Sequence, residues 1–533
     1  MTASKSMREY ELKFAGRAGE LMAMKKAADA AAGGRASWRT AETQTIYYDT
    51  PERRLFAKGV TLRVRQSGEK CVQTVKADHS SSAAALDRAE WEQVLSGCEP
   101  DLNVLPQSAR RALGTILPDE LAPVVVVDMK RQKTVLVQIN ALGPDLEAEV
   151  AIDKGTVHAA GRSAPISECE LELIGGEPSV FFQLAMEVHG NSLARLSRIS
   201  KAARGFALFD ETAPEAVKAP KFLLRRERSV SETFREVFGV CIANIVDNEP
   251  IAMDGKDPEG VHQIRVSIRR MRSLLAILNN RIDPERTGWL REELKWLHSS
   301  MGPARDWDVF ISETLMVVDG YGIDRKQIDR LRKLAENRRA EAYRSVRETI
   351  NSSRYARLTL KLTAFTEIAG WLPWPVGDNH PLVKPLRTHA RSMLSRPFGK
   401  LMKGSENLAD MEMEQRHEVR IRLKKLRYAV DFLHNLYPGA ATTKFLKNLH
   451  RLQDQFGYLN DVAQITHMID DLFTSGSKQV QNDPGLHAAA GLVIGWHAQH
   501  LHALEPQFLN YWDAFIQTPP FWPAKGKVGK PND

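Results

Sequence analysis

Glu9-Tyr10-Glu11-Leu12-Lys13-Phe14 is the stretch of this 533-residue chain from which its fold is read. Charged and apolar residues alternate without a break. Successive side chains of a strand point to opposite faces, so Glu9, Glu11 and Lys13 share one face and Tyr10, Leu12 and Phe14 the other. Two carboxylates beside an ammonium can hold a divalent cation and an anionic oxygen together, which is what cleaving a polyphosphate requires.

The same alternation recurs downstream. Arg63 and Arg65 alternate with Leu62 and Val64, and Thr74 and Lys76 flank Val75. Arg88, Glu90 and Glu92 keep step, as do Glu147 and Glu149, while Glu168, Glu170 and Glu172 alternate with Cys169, Leu171 and Leu173. Short β-branched or aromatic runs bounded by Gly, Pro, Asp or Ser predict strands over Thr43–Asp49, Thr61–Gln66, Cys71–Lys76, Ala89–Leu95, Val124–Met129, Lys133–Ile139, Glu147–Asp153 and Glu168–Ile174. Spacing admits two architectures: an antiparallel sheet with one wet face, or a closed barrel whose charged face points inward. The second needs opposite charges or bound ions in the lumen, because an unpaired buried charge is costly. Both signs are present.

From Arg225 onward, apolar residues three and four apart in Leu-, Ala-, Arg- and Lys-rich stretches predict helices. Residues 211–221 (Glu211 to Lys221, with Pro214 and Pro220) read as a linker, and residues 516–533, rich in Pro, Lys and Gly from Thr518, as a disordered tail. The helical half contains a duplication. Val261-His-Gln-Ile-Arg-Val-Ser-Ile-Arg-Arg-Met-Arg272 matches Arg416-His-Glu-Val-Arg-Ile-Arg-Leu-Lys-Lys-Leu-Arg427, with His262 and His417 155 residues apart. Gly302 and Gly457 keep that displacement, and so do Asp306 and Asp461. Two related helical bundles in series are the simplest reading.

Asp257-Pro258 marks a helix start. Beyond it His262, Arg265, Arg269 and Arg272 form one stripe, and Ile264, Ile268, Met271 and Leu275 an apolar one. The second copy repeats this with His417, Arg420, Lys424 and Arg427 against Val419, Leu423, Leu426 and Val430. A basic stripe is ordinarily a solvated face. Its retention in both copies favours a binding surface, which Arg338, Arg339 and Arg344 would extend. Pro303 and Arg305, where the second copy has Tyr458 and Asn460, break the symmetry.

A formal net charge of +8 and a pI near 9.1 permit an anionic partner. The helices lack interleaved aromatics for base stacking, which argues against a nucleic acid. Cys71, Cys98, Cys169 and Cys241 show no ligand spacing, so neither a zinc site nor a disulfide framework is expected, in keeping with a reducing cytosol. The N-terminus lacks a signal-peptide core and no apolar run could span a bilayer; a cytoplasmic protein with no membrane association is expected.

The first 210 residues resemble the CYTH, or triphosphate tunnel metalloenzyme, superfamily. The resemblance rests on Glu9-x-Glu11-x-Lys13, Tyr47-Tyr-Asp-Thr-Pro51, Gly59-Val-Thr-Leu-Arg-Val-Arg65, Gln73-Thr-Val-Lys76, Arg88-Ala-Glu-Trp-Glu92, Ala151-Ile-Asp-Lys-Gly155, Glu168-Cys-Glu-Leu-Glu172 and Ser200-Lys-Ala-Ala-Arg-Gly205, in order. Residues 222–515, with halves of about 222–375 and 376–515, resemble the CHAD domain. Together they resemble bacterial CYTH-CHAD inorganic triphosphatases. The resemblance implies an α+β multidomain fold: an N-terminal antiparallel β-barrel forming a triphosphate tunnel, then an all-α domain of two duplicated four-helix bundles. It implies Mg²⁺ or Mn²⁺ on Glu9, Glu11 and Glu170 or Glu172, and phosphate-binding cations at Lys13, Arg63, Arg65, Lys76, Arg131 and Lys201. Glu90, Glu92, Glu170 and Glu172 are the candidates for orienting the attacking water. The implied activity is hydrolysis of inorganic triphosphate to pyrophosphate and phosphate, with His262, Arg265, Arg269, Arg272, His417, Arg420, Lys424 and Arg427 binding polyphosphate. The alternatives are an adenylate cyclase or thiamine triphosphatase on the same fold, or a non-catalytic polyphosphate-granule protein.

Overall fold

The computed structural model describes residues 10–78, 88–139, 145–211, 214–279, 281–318, 325–373, 375–403, 408 and 411–523. They form two compact units that interleave along the chain. The first comprises residues 1–219, 238–264 and 348–370, and the second 220–237, 265–347 and 371–533.

The first unit is built on one antiparallel sheet of nine strands in the order β5-β4-β3-β2-β6-β7-β8-β1-β9. The strands are β1 (Glu11–Ala15), β2 (Arg39–Asp49), β3 (Val60–Ser67), β4 (Lys70–Asp78), β5 (Arg88–Leu95), β6 (Ala122–Gln138), β7 (Leu146–Ala159), β8 (Arg162–Gly175) and β9 (Arg195–Leu196). Two expected strands merge into β6. The polar run Lys130-Arg-Gln-Lys133 continues the ladder because Arg131 and Lys133 meet Asp153 and Glu149 across the β6–β7 pair.

The sheet is open, which corrects the expected barrel. Its end strands are β5 and β9, and β9 pairs only with β1 for two residues. A helix does the enclosing instead. Helix α4 (Lys201–Asp210) lies on the charged face, where Ala202 and Phe206 pack with Val125, Val127, Met129 and Val157. Gly205 permits this close approach, since a Cβ there would sit 2.2 Å from Val125 Cγ1. Gly205→Ala should therefore cost about 1–3 kcal/mol through overpacking, read as a lowered denaturation midpoint with unchanged slope.

The opposite face is apolar. Leu12, Phe14, Val150, Ile152 and Leu171 form a core with α1 (Ala18–Ala31) and α3 (Pro178–His189). Val246 of α5 (Val230–Asp254) and Leu360 and Ala364 of α10 (Ser353–Glu367) complete it. A second core under β3 and β4 gathers Leu62, Val64, Cys71 and Val75 with α2 (Gln107–Leu113). Cys71 and Cys98 are joined in a disulfide, contrary to the expectation of none. They are 27 residues apart in sequence, and the β4–β5 pairing brings the chain back to close the link.

The remaining helices are α6 (Glu259–Ile277), α7 (Pro284–Ser300), α8 (Gly302–Val309), α9 (Arg325–Ile350), α11 (Leu386–Met402), α12 (Met413–Leu433), α13 (Ala440–Thr474), α14 (Lys478–Gln481) and α15 (Pro484–Ile516). The first copy breaks between α7 and α8, with Pro303 in the first turn of α8, whereas α13 runs unbroken through the matching Gly457. Proline is tolerated at a helix start because its missing N–H has no partner there.

Parts of the expected linker and of the expected disordered tail make defined contacts. In the linker, Val217 N–H bonds Asn248 Oδ1 at 3.0 Å, and Ala219 N–H bonds Gln263 Oε1 at 2.9 Å. In the tail, Trp522 is buried against Phe398, Phe445 and Phe521, and its indole N–H bonds Ser395 Oγ at 2.9 Å. Residues 524–533 lie outside the described residues. Among the described residues, no helix is long and apolar enough to cross a membrane.

Candidate functional site

Strand register assembles the charged face. Lys13 stands opposite Glu170, and Glu168, Asp153 and Arg131 form a row across β8, β7 and β6. Ser200 caps α4 by accepting Ala203 N–H, so Lys201 is the first helical residue. Its ammonium lies 2.9 Å from Asp153, 3.2 Å from Glu168 and 2.7 Å from Glu170. Arg131 grips Asp153 with two hydrogen bonds of 2.6 and 2.7 Å and also reaches Glu170. Arg204, one turn along α4, bonds Glu168 at 2.7 Å.

Glu170 is the hub: Lys13 lies 3.4 Å from the same Oε1 that Lys201 holds, and Arg131 takes Oε2. Burial opposes its ionisation, but Lys201, Lys13 and Arg131 outweigh burial and hold its carboxyl well below the usual range. Its charge therefore supports the fold at neutral pH, and that support is lost only as pH falls below the ordinary carboxylate range. Asp153, Glu168 and Glu170 bring three carboxylate oxygens within 4.8 Å of one another. Glu168 Oε2 is buried and receives no hydrogen bond, although Lys201 stands at ion-pair distance. An all-oxygen set with an unsatisfied oxygen fits a hard divalent cation.

Of the sequence-derived metal ligands among the described residues, only Glu170 belongs to this cluster. Glu172 lies opposite Glu11 on β1 and Glu149 on β7, forming a second acidic row one level along the same face. Glu9 lies outside the described residues. Glu168 belongs to the charged alternation read from the sequence but is not among the expected ligands, and Asp153 is neither; the register places both on this face.

Farther across the sheet, Arg63 faces Tyr47 and Thr74, and Arg65 follows two residues on. Arg63 reaches Glu90 at 3.6 Å, and Lys76 reaches Glu90 at 2.6 Å. Glu92 accepts from Thr74 Oγ1 at 3.3 Å. Arg65 makes no ion pair among the described residues. Arg63, burial and Arg131 push its guanidinium down to about 10, a sign of positive charge without matching negative charge. Burial resists ionisation of Tyr47, yet Arg63, Lys201 and Arg65 pull its phenol below the usual value.

The second unit holds a separate basic groove. Arg269, Arg420, Lys424 and Arg427 line a cavity of about 700 Å³ with Phe222, Tyr428 and Phe432. Burial, then Arg420, Arg269, Arg272 and Arg427, lower Lys424 from its ordinary value. The cationic stripes of the two copies thus act on one another. Arg265 donates to the main-chain oxygen of His298 at 2.9 Å. Burial and Arg265, Arg272, Arg269 and Lys424 bring His298 down to about 4. His298 should therefore stay neutral at pH 7, and NMR titration should show its midpoint near 4, rising when an anion fills the groove. A depressed histidine contributes stability that is present above about pH 6.5 and lost as pH falls toward 4.

His262 is half-buried one turn before Arg265 on α6 and falls in the first unit. The side chain of His417 lies outside the described residues. Arg338 and Arg339 are engaged elsewhere, Arg338 by Asp471 and Glu341 and Arg339 by Asp308. They do not line the groove cavity.

Family models match a CYTH domain over residues 7–206 and a CHAD domain over residues 236–470. The chain joins a CYTH domain to a CHAD domain. Two uncharacterized proteins of Mycobacterium tuberculosis, MT2285 (strain CDC 1551 / Oshkosh) and Rv2226 (strain ATCC 25618 / H37Rv), are each 26% identical over 288 residues, covering 51% of this chain and 52% of theirs. The chain thus spans about half the length of the curated relatives it matches. The CHAD domain of Ricinus communis is 25% identical with a TM-score of 0.48, covering 57% of this chain and 98% of that one. The protein HpAC1 of Hippeastrum, described as having a dominant triphosphatase activity, is 18% identical with a TM-score of 0.28, covering 38% and 95%. This CYTH-CHAD chain pairs its acidic cluster with the CYTH half and its basic groove with the CHAD half.

Proposed function

We propose that the CYTH half is an inorganic triphosphatase and that the CHAD half binds polyphosphate. The observation that carries the first assignment is Arg65, a half-buried arginine with a buried Nε and no ion pair among the described residues, pressed by Arg63 and Arg131 on the face that holds Glu170. Such a surplus of positive charge is relieved by a compact polyanion.

Arg63, Arg65 and Arg131 receive phosphoryl oxygens bidentately, while Lys13 and Lys201 neutralise the end near Glu170. Asp153, Glu168 and Glu170, with Glu11 and Glu172 in the adjoining row, would hold Mg²⁺ or Mn²⁺. Such an ion offsets charge on the phosphoryl and leaving-group oxygens. Glu92 lies under the influence of both Arg63 and Arg65, which makes it our choice for orienting the attacking water. Glu90 is held by Lys76 and Arg63 and maintains those cations.

In the CHAD half, helices related by one displacement support a reading as two duplicated four-helix bundles whose basic stripes converge. The proposed ligand of the groove is inorganic polyphosphate. The deciding experiment is phosphate release from triphosphate, ATP and thiamine triphosphate with Mg²⁺ or Mn²⁺. Pyrophosphate and phosphate from triphosphate, at kcat/KM well above that for the nucleotide or the thiamine ester, is the expected result. Cyclic nucleotide from ATP would replace the reading with a cyclase, and polyphosphate binding with no turnover of any substrate would leave a binding protein.

A further inference from the structure

The first unit contains a second polar system, at the β9 edge of the sheet. Helix α5 presents Asp247 and Glu249 to the segment that leads into α4. Asp247 accepts from Arg198 Nε at 3.2 Å. Glu249 is buried, accepts from the Tyr355 hydroxyl of α10 at 2.7 Å and faces Arg195 at 3.7 Å. A buried carboxylate is expensive unless it has a task or a close partner.

The two arginines lie in a short stretch that connects to both lysines on Glu170. Arg195 and Leu196 pair with Ala15 and Phe14 of β1. Ser197 N–H bonds the main-chain oxygen of Lys13 at 2.8 Å. Ser200 then caps α4 and Lys201 begins it. Seven residues, Arg195 to Lys201, therefore run from the α5 carboxylates to the main chain of Lys13 and the side chain of Lys201.

We propose that Asp247 and Glu249 are positioning residues for the phosphate site, holding segment 195–201 through Arg198 and Arg195 and so setting where Lys13 and Lys201 stand. The CHAD-half helix α5 is thereby part of the catalytic scaffold. This deepens the triphosphatase reading and rests on it for its kinetic consequence. The charged groups facing Glu249 are Arg195 from β9 and Asp247 from its own helix, with the Tyr355 phenol from α10. Burial raises Glu249 to about 7 against the opposing pull of Tyr355 and Arg195. Above that pH it is charged and grips Arg195; below it the counter-charge is lost. A raised carboxyl contributes stability that is present at low pH and disappears as pH rises through about 7, so the grip is maintained at some expense to the fold.

The test uses the full chain and the variants Glu249→Gln, Asp247→Asn and both together. Hydrogen exchange should quicken at least about tenfold at Leu196 and Ser197 in the double variant while β7 and β8 stay protected. KM for triphosphate should rise about five- to tenfold at pH 8 with kcat within about twofold, because the anion-holding cations move while the water-orienting group does not. At pH 6 the KM values of wild type and Glu249→Gln should converge, and Asp247→Glu, which keeps the charge, should restore most of the affinity. Unchanged exchange at 195–201, or parallel KM–pH curves, would overturn the proposal. So would quickened exchange throughout the sheet, which marks a folding role. Absence of turnover in the wild type would remove the hydrolase reading alone, since the exchange arm decides the positioning role without substrate.

Discussion

Glu170→Gln should lower triphosphate turnover by on the order of 10³-fold while leaving affinity for triphosphate, measured by calorimetry in EDTA, equal to or tighter than that of the wild type. The two effects have opposite signs because Glu170 answers three cations, Lys13, Arg131 and Lys201. Removing its charge takes away one oxygen ligand of the acidic cluster and leaves those cations in excess, so an anion is welcomed and not processed. The free protein should lose about 3 kcal/mol, the ordinary consequence of breaking a buried ionic network from one side. Saturating triphosphate should recover much of that loss, which a thermal shift would show. Equal loss of binding and turnover would mean that Glu170 merely supports the fold.

The second large effect concerns the groove. Replacing Arg269, Arg420 and Lys424 together by Gln should weaken polyphosphate binding at least about 10²-fold and flatten its dependence on salt, since each lost phosphate contact lowers the number of counterions released. Turnover of free triphosphate should be unaffected. The same variant should melt at a higher temperature than the wild type at low salt, because Lys424 is lowered by burial and by four neighbouring arginines that repel it. A protein that gains stability as it loses its ligand shows that the charges are kept for binding. Retained polyphosphate affinity would move the binding surface elsewhere.

Much of the site was legible because strands transmit parity. Once Glu170 is assigned to the charged face, Lys13, Arg131 and Glu168 follow from cross-strand register. Asp153 escaped because Ala151 interrupts the alternation Glu147, Glu149, Asp153, and a small residue hides the period that a charge would reveal. Spacing left a one-sided sheet and a barrel both open, and the closed barrel was what the family resemblance implied. A wall over the charged face exists, but α4 supplies it, and a helix lying across a sheet leaves no mark in the strand period. Gly205 was the available clue, a helical glycine where Val125 leaves no room for a methyl group. Strand β9 has two residues and carries no periodic signal at all. In the helical half, Pro303 announced the break between α7 and α8. The disulfide was invisible, since proximity of Cys71 and Cys98 depends on β4 and β5 pairing first.

The underside of the sheet has a consequence for how such a chain can be taken apart. Val246, Leu360 and Ala364 are sealed against Leu12, Phe14 and Leu171, although a reader of the primary structure would assign them to another module. A gene truncated at the proline-bearing joint after residue 211 would encode a sheet with part of its oily surface bare. Its product should be sticky and prone to self-association. Recombination that swapped the helical region for a foreign one would do the same unless it carried matching side chains. The sheet thus takes part of its finished exterior from residues that come after residue 219 in the chain.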